Sequence, residues 1–133
     1  MLRVLIADDN ADSRELLRDR LEAWGFEVVE ARDGREALVT AARYLPDAIL
    51  LDVQMPHLDG FAALHHLRED YRLSATPALA VTACAWNGTR ARALEAGFNA
   101  CFAKPVDFRA LRDELERLLP AARTFKAAAK GVA

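Results

Sequence analysis

Three aspartates, a threonine and a lysine stand where short apolar runs of this chain end. Asp8 and Asp9 close the run Val4-Leu5-Ile6-Ala7, and Asp52 follows Ala48-Ile49-Leu50-Leu51. Thr82 follows Ala78-Leu79-Ala80-Val81, and Lys104 follows Ala100-Cys101-Phe102-Ala103. Carboxylates brought together repel one another and are tolerated only with positive charge among them. A hard divalent cation is the natural partner. Mg2+ in particular keeps several waters and uses one or two carboxylates beside a phosphate oxygen. An ammonium is a point charge suited to a phosphoryl oxygen or a carboxylate, and a threonine hydroxyl adds a donor. Each residue alone has a plainer reading: Asp8 or Asp9 as a cap, Asp52 as the start of the 52–56 turn, Thr82 as a pleated-sheet residue, Lys104 as a loop lysine. Their coincidence argues for chemistry, because all fall at run ends and none interrupts a run.

Something must bring these ends together. The first, third and fourth runs are continuously apolar, as strands covered on both faces are. A further run, Phe26-Glu27-Val28-Val29, contains Glu27 and suits a sheet edge. Helical patterns separate the runs. Residues 12–24 place Leu16, Leu17, Leu21 and Trp24 on one side, with Asp12 and Glu15 spaced as a capping box and Gly25 as the stop. Residues 34–45 carry Ala37, Leu38, Ala41, Ala42 and Leu45 before Pro46. Residues 60–70 carry Phe61, Leu64 and Leu67. Residues 88–96 carry Ala91 and Leu94 before Gly97, and residues 107–119 carry Phe108, Leu111, Leu115, Leu118 and Leu119 before Pro120. Strict strand–helix alternation predicts an α/β fold of (βα)5 type, a doubly wound five-stranded parallel sheet with right-handed crossovers. In such sheets the site lies beyond the carboxyl ends of the strands. With the first and third strands adjacent, the three acids converge there.

Composition sets the outer bounds. The chain has 133 residues, 53% hydrophobic and 29% charged, which fits one globular domain and leaves no room for a separate output domain. The net charge of −2 argues against direct nucleic-acid binding. There is no apolar run of about 18 residues, hence no expected membrane span, and no signal-peptide core, so a cytoplasmic location is expected. Two cysteines, Cys84 and Cys101, make neither a disulfide framework nor a zinc site and are expected as reduced thiols. His57, His65 and His66 lack zinc spacing and read as surface positions. Residues 1–120 are expected as the domain. The Ala-rich tail 121–133, with Arg123, Lys126, Lys130 and no acid, is expected as a helical extension or disorder.

The segments Val4-Leu5-Ile6-Ala7-Asp8-Asp9-Asn10, Leu50-Leu51-Asp52-Val53-Gln54-Met55-Pro56 with Asp59-Gly60-Phe61, Val81-Thr82-Ala83 and Phe102-Ala103-Lys104-Pro105 resemble the receiver domain of bacterial two-component response regulators. The resemblance spans about residues 2–119. It implies a flavodoxin-like sheet of strand order 2-1-3-4-5 and a chemotaxis-regulator-like, single-domain signalling module. Asp52 would be the phosphoacceptor, taking a phosphoryl group from a histidine kinase or a histidine phosphotransfer protein. Asp8, Asp9, Asp52 and the backbone carbonyl of Gln54 would hold Mg2+, Asp8 partly through water. Thr82 and Lys104 would take phosphoryl oxygens. The resemblance further implies a cis Lys104–Pro105 peptide, self-catalysed phosphorylation and dephosphorylation rather than turnover of a foreign substrate, and a changed binding face for a downstream protein target.

One position departs from the family pattern. The aromatic residue usual three places before the lysine is Cys101 here, too small for that residue's inward rotation. Phe102, its neighbour, is expected in the core. Cys84 and Gln54 would flank the path of the attacking water, and Trp86 would follow the Thr82 loop. Two other classes use a comparable scaffold. A haloacid-dehalogenase-type phosphatase wants Asp-x-Asp after the first strand, which Asp8-Asp9-Asn10 does not supply. A receiver-fold scaffold binding partners without phosphorylation remains the alternative.

Overall fold

A computed structural model describes residues 1–83 and 88–120. Cys84, Trp86 and the 121–133 tail, singled out above, lie outside the described residues. The elements alternate from the start: β1 (Arg3–Ala7), α1 (Ala11–Ala23), β2 (Glu27–Ala31), α2 (Gly34–Tyr44), β3 (Ala48–Asp52), α3 (Gly60–Glu69), β4 (Ala78–Thr82), α4 (Thr89–Ala96), β5 (Ala100–Ala103) and α5 (Phe108–Leu118). All neighbouring strands pair in parallel in the order β2-β1-β3-β4-β5. The expected edge position of the Glu27 strand is observed.

Successive strand residues point to opposite faces, and the core divides accordingly. Leu5, Ile49, Leu51 and Ala80 pack with Ala37 and Ala41 of α2, Leu64 and Leu67 of α3 and Ala93 of α4. Val4, Ile6, Leu50, Leu79 and Val81 pack on the other side with Leu17 and Leu21 of α1 and Leu111 and Leu115 of α5. Each fully buried leucine of these layers contributes about 2 kcal/mol of transfer free energy. Cys101 lies in the first layer, while Phe102, half-buried, packs against the second.

Helix starts are fixed by side chains. Asn10, Asp33, Asp59 and Asp107 each accept the N–H three residues on, which satisfies one of the free donors at a helix start. The first of these corrects the sequence reading: α1 is capped by Asn10 through Ser13, not by an Asp12–Glu15 box. Other expectations also shift. Leu16 is 51% exposed, so the buried stripe of α1 is narrower than its leucines suggest. In α4 the buried residue is Ala93, and Leu94 is 49% exposed. Leu45 is exposed too, because it ends α2 in the left-handed conformation rather than continuing its face.

Candidate functional site

The strands carry their acids to one rim by backbone pairing. Asp8 N–H donates to Ala31 O at 3.1 Å, which extends β1 one residue past its end. Asp52 is the last residue of β3, opposite Val81, and Thr82 is the last of β4, opposite Ala103. Lys104 N–H donates to Thr82 O at 2.8 Å. Asp52 and Thr82 thus sit within their strands rather than just after them. The Lys104–Pro105 peptide is cis.

Side chains from these ends meet. Lys104 Nζ lies 2.7 Å from Asp8 Oδ2 and 2.8 Å from Asp52 Oδ2, bridging groups 96 and 52 residues away in sequence. One carboxylate oxygen from each of Asp8, Asp9 and Asp52 falls in a cluster no more than 4.8 Å across. Asp8 is 1% exposed and Asp52 5%, whereas Asp9 is open to solvent. Three carboxylates against one ammonium leave the cluster with excess negative charge. All its donors are hard oxygens, and Asp9 leaves room for water. This donor set fits a divalent magnesium ion.

The two buried acids differ in their support. Burial pushes Asp8 up, but three donors outweigh it: Lys104, the Asn10 N–H at 2.9 Å and the Ser13 hydroxyl at 2.7 Å. Asp8 is therefore held below the ordinary carboxylate range. Asp52 is raised above that range. Burial dominates there, Asp8 adds repulsion, and only Lys104 and the Gln54 N–H at 3.0 Å oppose it. Lys104 is lowered by burial, but its two acid partners more than reverse this and hold its ammonium above the usual lysine range.

A cavity of about 580 Å³ opens beside the cluster, lined by Asp9, Gln54, Met55, Thr82, Thr89 and Arg92 among others. Asp8, Asp9 and Asp52 form the cluster, Lys104 bridges two of them, and Gln54 and Thr82 line this cavity. Four supporting residues were not anticipated. Asn10 and Ser13 donate to Asp8, Arg14 Nη1 donates to its backbone carbonyl at 2.6 Å, and Arg92 lies over the Phe61 ring at 4.0 Å. The Asn10–Ser13 spacing is a capping signal that could have found the first two. Arg92 has no local signal. His57, His65 and His66 are exposed, and among the described residues none joins a metal-binding cluster.

Known proteins share this fold. The family model for the response regulator receiver domain matches residues 4–116. The polar-differentiation response regulator DivK of Brucella anthropi is 39% identical over 103 residues, 77% of this chain and 84% of DivK. The chemotaxis protein CheY4 of Vibrio cholerae superposes with a TM-score of 0.83 at 32% identity, over 90% of this chain and 99% of CheY4. The receiver domain of the sensor histidine kinase PA1611 of Pseudomonas aeruginosa, solved with a magnesium ion in its active-site cleft, superposes with a TM-score of 0.82 at 33% identity, over 88% of this chain and 96% of that domain.

Proposed function

The chain belongs to the response regulator receiver domain family, and from that premise we propose that Asp52 accepts a phosphoryl group in Mg2+-dependent signalling. The observation that carries the reading is the Lys104 bridge to Asp8 and Asp52 inside an acid cluster. Asp8, Asp9, Asp52 and the Gln54 carbonyl would hold Mg2+, which when bound supplies charge neutralisation for the acids and the incoming phosphoryl oxygens.

The chain's own residues do the rest. A carboxylate oxygen of Asp52 forms a bond to phosphorus, and the P–N bond to the donor's phosphohistidine breaks with its electron pair leaving on the imidazole. Lys104 transfers from the carboxylates to one phosphoryl oxygen, and Thr82 donates to another. Phosphoryl transfer spreads charge over these oxygens, so positioning and neutralisation are most of the catalysis. The product adds about −1.5 to −2 charges at the rim, which changes what the surface binds.

On this reading residues 1–120 are the receiver and 121–133 a basic tail. The donor is a histidine kinase or histidine phosphotransfer protein, and the readout is a downstream protein target. Turnover is confined to the chain's own phosphoryl group. No described helix is long and apolar enough to cross a membrane. Cys101 is a free buried thiol, which suits the reducing cytoplasm. The test is incubation with acetyl phosphate and Mg2+ followed by intact-mass spectrometry. One phosphoryl group per chain is expected, lost in Asp52→Asn. Many turnovers of a small phosphate ester would mark a phosphatase instead.

A further inference from the structure

Lys104 is already committed to two acids, so its ammonium is not what an approaching anion meets first. The cavity lined by Asp9 and Thr82 is an open approach to the cluster, and its acids are Asp9 and Asp59. The Asp59 side chain caps α3 through the Ala62 N–H at 2.8 Å. Among the described residues lining this cavity, Arg92 is the one cation. It comes from α4, on the same face as Thr89, which also lines the wall.

Arg92 is placed rather than loose. Its guanidinium carbon lies 4.0 Å from the centroid of the Phe61 ring. Phe61 itself meets Phe98 edge-on, with centroids 6.1 Å apart and planes at 81°. No acid among the described residues pairs with Arg92. A guanidinium held over a ring still has N–H groups to offer oxygen acceptors. A cation in a cleft with low-dielectric walls raises the local concentration of anions.

We propose that Arg92 is a binding residue for the incoming phosphodonor, drawing its phosphoryl end into the cavity and favouring donors of higher negative charge. The inference rests on the reading of Asp52 as phosphoacceptor. With acetyl phosphate, the Asp52 oxygen bonds to phosphorus while the bond from phosphorus to the acetyl oxygen breaks, and acetate leaves with the electron pair. Arg92 takes no part in that exchange. It acts on capture.

The experiment compares wild type, Arg92→Ala and Arg92→Lys, with Mg2+ present. Labelling rates are followed by mass spectrometry against donor concentration and salt, using acetyl phosphate and the less anionic phosphoramidate. In Arg92→Ala the half-saturating acetyl phosphate concentration is expected to rise about five- to tenfold, with the maximal rate unchanged. Arg92→Lys recovers most of the loss. Added salt slows wild type but not Arg92→Ala, and phosphoramidate shows the smaller effect. Mg2+ affinity, measured by calorimetry without donor, stays within about twofold of wild type, as expected of a residue outside the acid cluster. Equal half-saturation in wild type and Arg92→Ala would overturn the inference alone. So would a fall in maximal rate at unchanged half-saturation, which is the mark of a residue that merely places α4. Wild type left unlabelled at Asp52 would remove the phosphoacceptor reading, and this inference with it.

Discussion

A Cβ built on Gly60 would lie 2.5 Å from the backbone carbonyl oxygen of Asp52 and 2.9 Å from the Cα of Val53. The start of α3 therefore presses directly on the residue at the centre of the acid cluster, and Gly60 N–H donates to Val53 O at 3.0 Å. Gly60→Ala forces backbone apart rather than a flexible side chain. It is expected to cost about 1–3 kcal/mol and to weaken both Mg2+ binding and labelling. Chemical denaturation and calorimetry check the two effects. An unchanged midpoint would refute the contact.

Lys104→Met leaves Asp8 and Asp52 facing each other without their shared cation. Removing one partner of a buried pair is costly because the other charge stays behind. The loss is expected at about 1–3 kcal/mol in metal-free protein at neutral pH, and added Mg2+ should stabilise this variant more than wild type. Thermal melts with and without Mg2+ decide it.

The same bridge fixes a pH window. Lys104, held above its usual range, gives stability that is complete below the unfolded lysine value and lost as pH rises through the raised folded one. Asp8, held below its usual range, gives stability present above the unfolded carboxylate value and lost as pH falls through the depressed folded one. Metal-free wild type should therefore lose stability at both extremes relative to Lys104→Met, whose alkaline loss should be smaller. Denaturation midpoints across pH measure this.

Asp52→Asn is expected to act in the opposite direction. The Asp52 carboxyl is raised, so the folded state favours its protonated form and its ionised form weighs against folding above that raised value. An amide removes the charge while Lys104 keeps Asp8 at 2.7 Å. A higher Tm is expected at neutral pH without metal, the gain vanishing below the unfolded carboxylate value. A destabilised variant would contradict the assignment.

Cys101 is 3% exposed, and burial pushes its thiol pKa up. Because the thiolate is the nucleophile, alkylation of this residue should be far slower in native protein than after unfolding in urea. Peptide mapping after iodoacetamide treatment measures the ratio. Equal rates would place Cys101 at the surface.

Strand–helix alternation and the placement of acids, threonine and lysine at run ends were legible because burial on both faces leaves an apolar signature and the polar groups stand where it stops. The meeting of Asp8, Asp9, Asp52 and Lys104 needed the strand order as well, which the family resemblance implied and the sheet shows. What sequence did not disclose depended on tertiary neighbours. Leu16 reads as core in the pattern of α1, yet no residue of another element covers it enough to bury it. Gly34 carries no local mark of its role, but a Cβ there would lie 2.1 Å from Leu58 O, a contact made only once the loop before α3 has folded. Arg92 gained significance only when α3 brought Phe61 beneath it.

The cation that holds the two buried acids together arrives 96 residues after the first of them. During synthesis, a chain that has not yet emitted its final strand presents carboxylates with nothing to reconcile them. The cluster gains its own counter-charge only once β5 has joined the sheet beside β4.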